Sequence, residues 1–263
     1  MRRPTGEDSV IPTCKLCRRP QPLSNSHILP EFLYAPLYNQ RHRILGFKAG
    51  AGGIRPELFQ KGLREPLLCI ACENHLNICF EQPSVASWKA LSGSCGASLT
   101  FGPALVTPQA ATAQVISGFD YATFKLFLLS ILWRTSVSSH GEFRAVQLGP
   151  HEERVRQMLW NREAGSPDGY PCLLFLSEPD FRGFFNPWHA RFGSRNGYRL
   201  LIGRVLLWFI VSRHFGREKF MQAVLQEDGR WVGAHLRLED VSEFKAAASY
   251  LKAVDVPERM LKP

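Results

Sequence analysis

Residues 67–77 read LLCIACENHLN, and the two cysteines in that run, Cys69 and Cys72, stand two residues apart. One turn of chain with this spacing presents two thiolates at the bite a tetrahedral ion takes. A second pair of the same spacing, CKLC at 14–17, supplies Cys14 and Cys17. Together the four make a set of soft ligands suited to a structural zinc ion. Fifty-one residues separate Cys17 from Cys69, a long loop for one site, but the entropy of closing a loop grows only logarithmically with its length. The remaining cysteines, Cys79, Cys95 and Cys172, lack paired spacing and read as ordinary core residues. Seven cysteines make an odd set for a disulfide framework. The opening MRRPTGEDSV carries two arginines with no apolar stretch behind them, so no secretory signal is expected. The paired thiols then point to metal in a reducing cytoplasm.

Outward from the cysteines, the chain divides by composition. Its 263 residues are 45% hydrophobic, enough to bury a sizeable core. Residues 1–83 are rich in Cys, Pro, Gly and basic side chains, as expected where a metal replaces part of a core. Residues 84–117, with SGSCGASLTFGP and TPQAATAQ, read as a linker or a packing segment of short strands. Residues 118–263 carry long apolar runs. The segment DYATFKLFLLSILWRTSVSS predicts a buried helix with Asp120 as N-cap and Arg134 ending its apolar part. PHEERVRQMLWNRE predicts a second helix with Val155, Met158 and Leu159 in one stripe and Glu152 and Glu153 in its first turn. PCLLFLSE and YRLLIGRVLLWFIVSR read as strands of a buried sheet; for the second, a continuous apolar run also fits a helix, and strand is preferred. Asp228-Gly229 suits the turn of a hairpin within FMQAVLQEDGRWVGAHL, and LEDVSEFKAAASYLKAV predicts a closing helix from Asp240 or Ser242. The fold class is α+β, with a zinc-stabilised module followed by a larger α+β domain.

Charge narrows the partners. The formal net charge is +9 with an isoelectric point near 9.4, a surface that exchanges counterions with polyanions. Between Gln40 and Arg64 the basic residues Arg41, Arg43, Lys48, Arg55, Lys61 and Arg64 face a single acid, Glu57, around a central AGAGG. A glycine-jointed basic loop of this kind suits contact with a nucleic-acid backbone. A plainer reading, a solvated surface loop pinned by Phe47 and Phe59, stands beside it. FNPWHARFGSRNGYR places His189, Arg191, Arg195 and Arg199 close together and reads first as a surface loop, second as a phosphate contact. The most apolar stretches, around 124–133 and 200–211, are too short to span a bilayer and contain Lys125 and Arg204, so no membrane partner is expected.

Between the cysteine pairs lies LSNSHILPEF at 23–32. The order Cys-x-x-Cys, His-Ile-x-Pro, then Leu-Cys-x-x-Cys followed by a polar residue resembles the HNH, or His-Me finger, endonucleases with paired zinc cysteines. The likeness covers about residues 14–77. It implies a treble-clef-like ββα module in which His27, at the end of the first strand, acts as general base. It implies also that Glu73, on the helix after Cys72, helps hold a catalytic magnesium or manganese ion. These residue types suit that chemistry: neutral imidazole accepts a proton near pH 7, and a carboxylate is a hard ligand for such ions. Two departures stand out. Ser26 occupies the place of the family's metal-ligating acid. Arg64, Glu65 and Pro66 stand where the histidine-orienting asparagine is expected, with Glu65 the candidate substitute and His75, Asn74 or Asn77 as other contacts.

The expectation is therefore an HNH-like endonuclease hydrolysing phosphodiester bonds, with DNA favoured over RNA as partner. The alternative is a catalytically degenerate module that keeps its zinc and binds nucleic acid or protein, the C-terminal domain offering a protein-interaction surface.

Overall fold

The computed structural model describes residues 11–50, 53–60, 62–93, 98–106, 112–178, 181, 183–216, 219–237 and 241. In chain order the elements begin with strand β1 (Ser24–His27) and two 3₁₀ turns, Glu31–Leu33 and Ala35–Leu37. Strands β2 (Ile44–Gly50), β3 (Gly53–Phe59) and β4 (Arg64–Leu68) follow. Helix α1 (Ile70–Leu76) then runs through a π-helical turn, Asn77–Glu81, into α2 (Gln82–Leu91). Short strands β5 (Thr100–Phe101), β6 (Leu105–Val106) and β7 (Thr112–Ser117) lead to α3 (Tyr121–Val137) and α4 (His151–Asn161). The chain closes with β8 (Cys172–Ser177), β9 (Phe184–His189), β10 (Gly197–Ile202), β11 (Val205–Ile210), a 3₁₀ segment Lys219–Ala223 and β12 (Arg230–Leu236). The class is α+β, dominated by sheet.

Two sheets organise these strands. β1 and β4 form an antiparallel pair. The others make a ten-stranded sheet in the order β3-β2-β9-β10-β11-β8-β12-β7-β5, with β6 also on β7. It is antiparallel except where β2 meets β9 and β12 meets β8. The run 197–210 is a hairpin closed by a two-residue turn between Ile202 and Val205. Its largely apolar character has a simple cause. Leu200, Ile202, Leu207 and Phe209 enter the main core with α3, while Leu201 and Leu206 join Phe47 and Phe185 in a second cluster. Successive side chains point to opposite faces of a strand, so a strand covered on both faces needs apolar residues throughout.

Helix α3 is the centre of the main core. Asp120 caps it by accepting from the Thr123 N–H at 2.9 Å, and every residue from Phe124 to Thr135 is buried. Two of those are charged, Lys125 and Arg134, and burial brings the Lys125 amine down to about 8. The same core runs from Cys14 and Leu16 through Leu67, Trp88 and α3 to Trp231, so the cysteine-bearing segment and the large sheet share one interior.

Two expectations change. Asp228-Gly229 does make a turn: Gly229 has φ +77° and donates to the Gln226 carbonyl at 3.0 Å, and a Cβ there would come within 2.3 Å of the Phe119 carbonyl oxygen. It does not join a hairpin, however. β12 lies between β7 and β8, and the preceding run is 3₁₀ with a single bridge at Val224. The turn chemistry specifies a reversal, whereas the neighbours of β12 follow from burying Trp231 against Phe119 and Phe124. Second, much of the basic segment 40–64 is a hairpin, β2–β3, at the edge of the large sheet, because Phe47 stacks on Phe185 at 4.6 Å and draws β2 alongside β9. The helix expected from Asp240 or Ser242 lies outside the described residues, as do Lys61 and Cys95. No helix among the described residues is long and apolar enough to cross a membrane.

Candidate metal centre and the surroundings of His27

The first cysteine pair sits in a tight knuckle. Thr13 bridges Pro20, the Cys14 N–H donates to the Arg19 carbonyl, and the Arg18 N–H returns to the Cys14 carbonyl at 2.9 Å with Arg18 in the left-handed region. The Lys15 N–H donates to the Leu67 carbonyl at 3.1 Å, which ties the knuckle to β4. The second pair opens α1: Cys69 is its N-cap, and the N–H groups of Cys72 and Glu73 both donate to the Cys69 carbonyl. Knuckle and helix start thereby meet, and the ligand atoms of Cys14, Cys17, Cys69 and Cys72 all lie within 4.8 Å of one another. Sulfurs around tetrahedral zinc stand about 3.8 Å apart, and Cys17 and Cys69 are separated by 4.0 Å. These four cysteines can hold a metal ion.

Burial and mutual crowding perturb these thiols. Burial first, and then the neighbouring sulfurs, push Cys72 above its ordinary value, and burial together with Cys14 does the same to Cys17. Cys14, although burial opposes it, is held below its ordinary value by the N–H groups of Cys69, Cys17 and Leu16. Thiolates crowded this way repel one another unless a cation takes their charge. Helix α4 braces the same knuckle from outside. Arg156 donates to the Leu16 carbonyl at 2.5 Å and holds Glu153 through two bonds of 2.8 and 2.7 Å. Arg156 holds the Glu153 carboxyl down at about 2, and Glu153 also reaches Arg18 at 3.2 Å.

His27 ends β1, opposite Arg64 on β4. Its side chain is 26% exposed, with Nε2 only 3.2 Å from a Glu31 carboxylate oxygen. That approach is ionic in distance but off the line of a hydrogen bond, and Nε2 is buried without a hydrogen-bond partner. Arg64 lies 3.4 Å from the same Glu31 oxygen. From α3, Arg134 donates to the His27 carbonyl at 2.9 Å and pairs with Glu81. Burial first, then Arg64, lower the His27 pKa below its ordinary 6.5, with Glu31 opposing them.

The other residues singled out in the sequence are distributed as follows. Ser26 is buried and engaged in the β1–β4 pair: its hydroxyl donates to the Ser24 carbonyl and accepts from the Leu68 N–H at 3.1 Å. Glu73 is half-buried, and its Oε1 is buried without a hydrogen-bond partner. Among the described residues the cysteine quartet is the group of three or more His, Cys, Asp or Glu side chains whose ligand atoms converge, and neither His27 nor Glu73 belongs to such a group. Glu65 accepts from the Ser138 and Ser139 hydroxyls and the Ser139 N–H, so it secures the end of α3 and is directed away from service to His27. His75 meets the Leu159 carbonyl at 3.0 Å, a link between α1 and α4. Asn74 is exposed and Asn77 half-buried.

Arg41 and Arg64 are exposed and Arg43 half-buried. The backbone N–H groups of Arg41 and Arg43 both donate to Asn39 Oδ1 at 3.0 Å. Lys48 stands opposite Arg55 in the β2–β3 register. In the region 189–199, Arg191 donates to the Ser194 carbonyl, Arg195 to the Phe215 carbonyl, and Arg199 lies 3.9 Å over the Trp208 ring. Sequence reasoning missed Glu31, Glu81 and Arg134. Glu31 carried a signal in its spacing of four residues from His27, and Arg134 in being a charge within an apolar helix; the Glu81 partnership had none. Compared with models of known protein families, with curated proteins and with solved structures, the chain gives no match.

Proposed function

We propose that this protein is an HNH-like, metal-dependent endonuclease that hydrolyses DNA phosphodiester bonds, with zinc in the cysteine quartet as a structural clamp. The observation that carries the reading is the order of parts around the clamp. A knuckle gives two cysteines, an antiparallel strand pair ends its first strand on His27, and a helix begins with the other two cysteines and Glu73. That order is the one the family's ββα module uses.

Two further facts support it. The buried Glu73 oxygen without a hydrogen-bond partner is costly in a folded protein and is commonly explained by function or by a bound ion. The lowered pKa leaves His27 neutral near pH 7, as a general base must be. Glu73 is the residue that would hold magnesium or manganese, and such an ion, when bound, supplies charge stabilisation at the phosphate. Ser26 does not fit as a second ligand. His27 accepts a proton from water as the water oxygen bonds to phosphorus and the bond to the leaving ribose oxygen breaks. Exposed Arg41 and Arg64 contribute backbone attraction.

The engagement of Ser26 and the absence of a three-ligand group at His27 favour a second reading, a zinc-stabilised module that binds nucleic acid or protein without cutting. Plasmid cleavage with magnesium, manganese and nickel separates the two. Native protein that nicks DNA, with His27→Ala and Glu73→Ala reduced at least a hundredfold while zinc content stays at one per chain, supports the enzyme. Unchanged activity in His27→Ala sinks the mechanism.

A further inference from the structure

We propose that Glu31 is the positioning partner of His27, forming a histidine–carboxylate dyad whose frame is completed by Arg134. The inference rests on the nuclease reading for its catalytic meaning but not for its geometry. The Glu31 oxygen lies 3.2 Å from His27 Nε2. The carboxylate is carried by the 3₁₀ turn that begins one residue after Pro30, so it is set by the same short stretch that follows β1. Nε2 is the buried ring nitrogen, which leaves Nδ1 on the accessible part of a side chain 26% exposed.

A carboxylate 3.2 Å from Nε2 favours the tautomer that carries its proton there, a small turn of the ring bringing that N–H onto the line of a hydrogen bond. Nδ1 then holds the free lone pair and faces the accessible side. In the chemical step a water O–H bond breaks, its proton goes to Nδ1, and the water oxygen bonds to phosphorus as the ribose oxygen leaves and is protonated from solvent. The imidazolium so formed lies against the Glu31 charge. Catalytic bases generally need a third group of this kind to fix their ring and stabilise their protonated form.

Arg134 does the complementary work on the backbone. It is 1% exposed, reaches 107 residues back to the His27 carbonyl, and is itself held by Glu81. The charged groups that act on the ring are then Glu31 on its own segment, Arg64 from β4, Arg134 from α3 and Glu81 from the π-helical turn. Arg64 lowers and Glu31 raises the affinity of the ring for its proton, so the loss of either has a definite sign.

The test uses the full zinc-loaded chain with ¹⁵N-labelled histidine, the His27 signals being those missing in His27→Gln. The native protein should show the Nε2–H tautomer. Glu31→Gln should lower the His27 titration midpoint by about one pH unit, and Arg64→Met should raise it. In cleavage assays Glu31→Gln should move the acid limb of kcat/KM down by the same interval and lower kcat about tenfold, with KM little changed. An unmoved midpoint and tautomer in Glu31→Gln overturn the dyad even if the protein cuts DNA. A raised requirement for manganese with an unmoved midpoint also overturns it, making Glu31 an ion ligand. The expected tautomer and shift in a protein that never cuts DNA uphold the dyad and remove the nuclease reading alone.

Discussion

His27 sits among four charges, and its behaviour with pH is the sharpest consequence of that setting. Its folded pKa lies below the ordinary 6.5 because burial and Arg64 outweigh Glu31. Below pH 6.5 the unfolded chain binds a proton that the folded one does not, so stability from this group is present above 6.5 and declines as pH falls towards the folded value. The same lowering keeps the His27 ring neutral through the physiological range. On the proposed nuclease reading, the acid limb of kcat/KM is expected to have its midpoint below 6.5, read from cleavage rates over a pH series; a midpoint above 6.5 contradicts the electrostatic account. Arg134 invites a second test. Replacing it with Met leaves Glu81 without this partner in a nearly closed site and removes a donor from the His27 carbonyl, which should cost about 3–4 kcal/mol in urea unfolding. The double variant Arg134→Met, Glu81→Leu should recover part of that loss, since removing both partners is far less costly than stranding one.

At the scale of elements, the decisive relation is between α4 and the cysteine knuckle. Arg156 grips the Leu16 carbonyl between Cys14 and Cys17, so α4 holds the loop that presents two of the four thiolates. Outer contacts of this kind commonly alter metal affinity by about 10–100-fold. With zinc in the quartet, as proposed, Arg156→Ala should therefore release it to a chelator at about tenfold lower chelator concentration, followed with a colorimetric zinc indicator. Equal release from both proteins would show the brace to be idle. Position 62 gives a test on the loop before β4. A Cβ at Gly62 would lie 1.4 Å from the Tyr34 hydroxyl oxygen, which itself donates to the Leu29 carbonyl. Gly62→Ala must displace that ring, and a loss of about 1–3 kcal/mol is expected, measured by thermal unfolding.

For the whole molecule, the shared core has a consequence for removal of the proposed zinc. Cys14, Cys69 and Cys72 belong to the same apolar interior as α3 and Trp231, so stripping the metal should loosen more than the knuckle. Hydrogen exchange after chelation should show lost protection through β1, β4 and α1 and partial loss along α3. The hairpin β10–β11, in the middle of the ten-stranded sheet, should stay protected. The net charge of +9 adds a test of partner class: DNA affinity, measured by fluorescence anisotropy, should fall steeply with salt on a log–log plot. A flat dependence would remove nucleic acid as the partner.

How much of this was legible beforehand depends on whether the information is local. The cysteine spacings, the Asp120 cap and apolar run of α3, the acid-first α4 and the strand character of 172–177 and 197–210 all come from residues close in sequence. Their physics, thiolate bite, capping and periodicity, acts over a few positions, so the sequence by itself determined them. The partners of β12 were not legible, because a turn dictates a reversal and not a neighbour. Nor were the roles of Ser26, Glu65 and Arg134. Ser26 bonds Leu68 across 42 residues, Glu65 meets Ser139 across 74 and Arg134 meets His27 across 107. Which charges surround His27 was decided only when α3 packed beside β1, since a buried guanidinium chooses partners from whatever acceptors the core brings within about 3 Å.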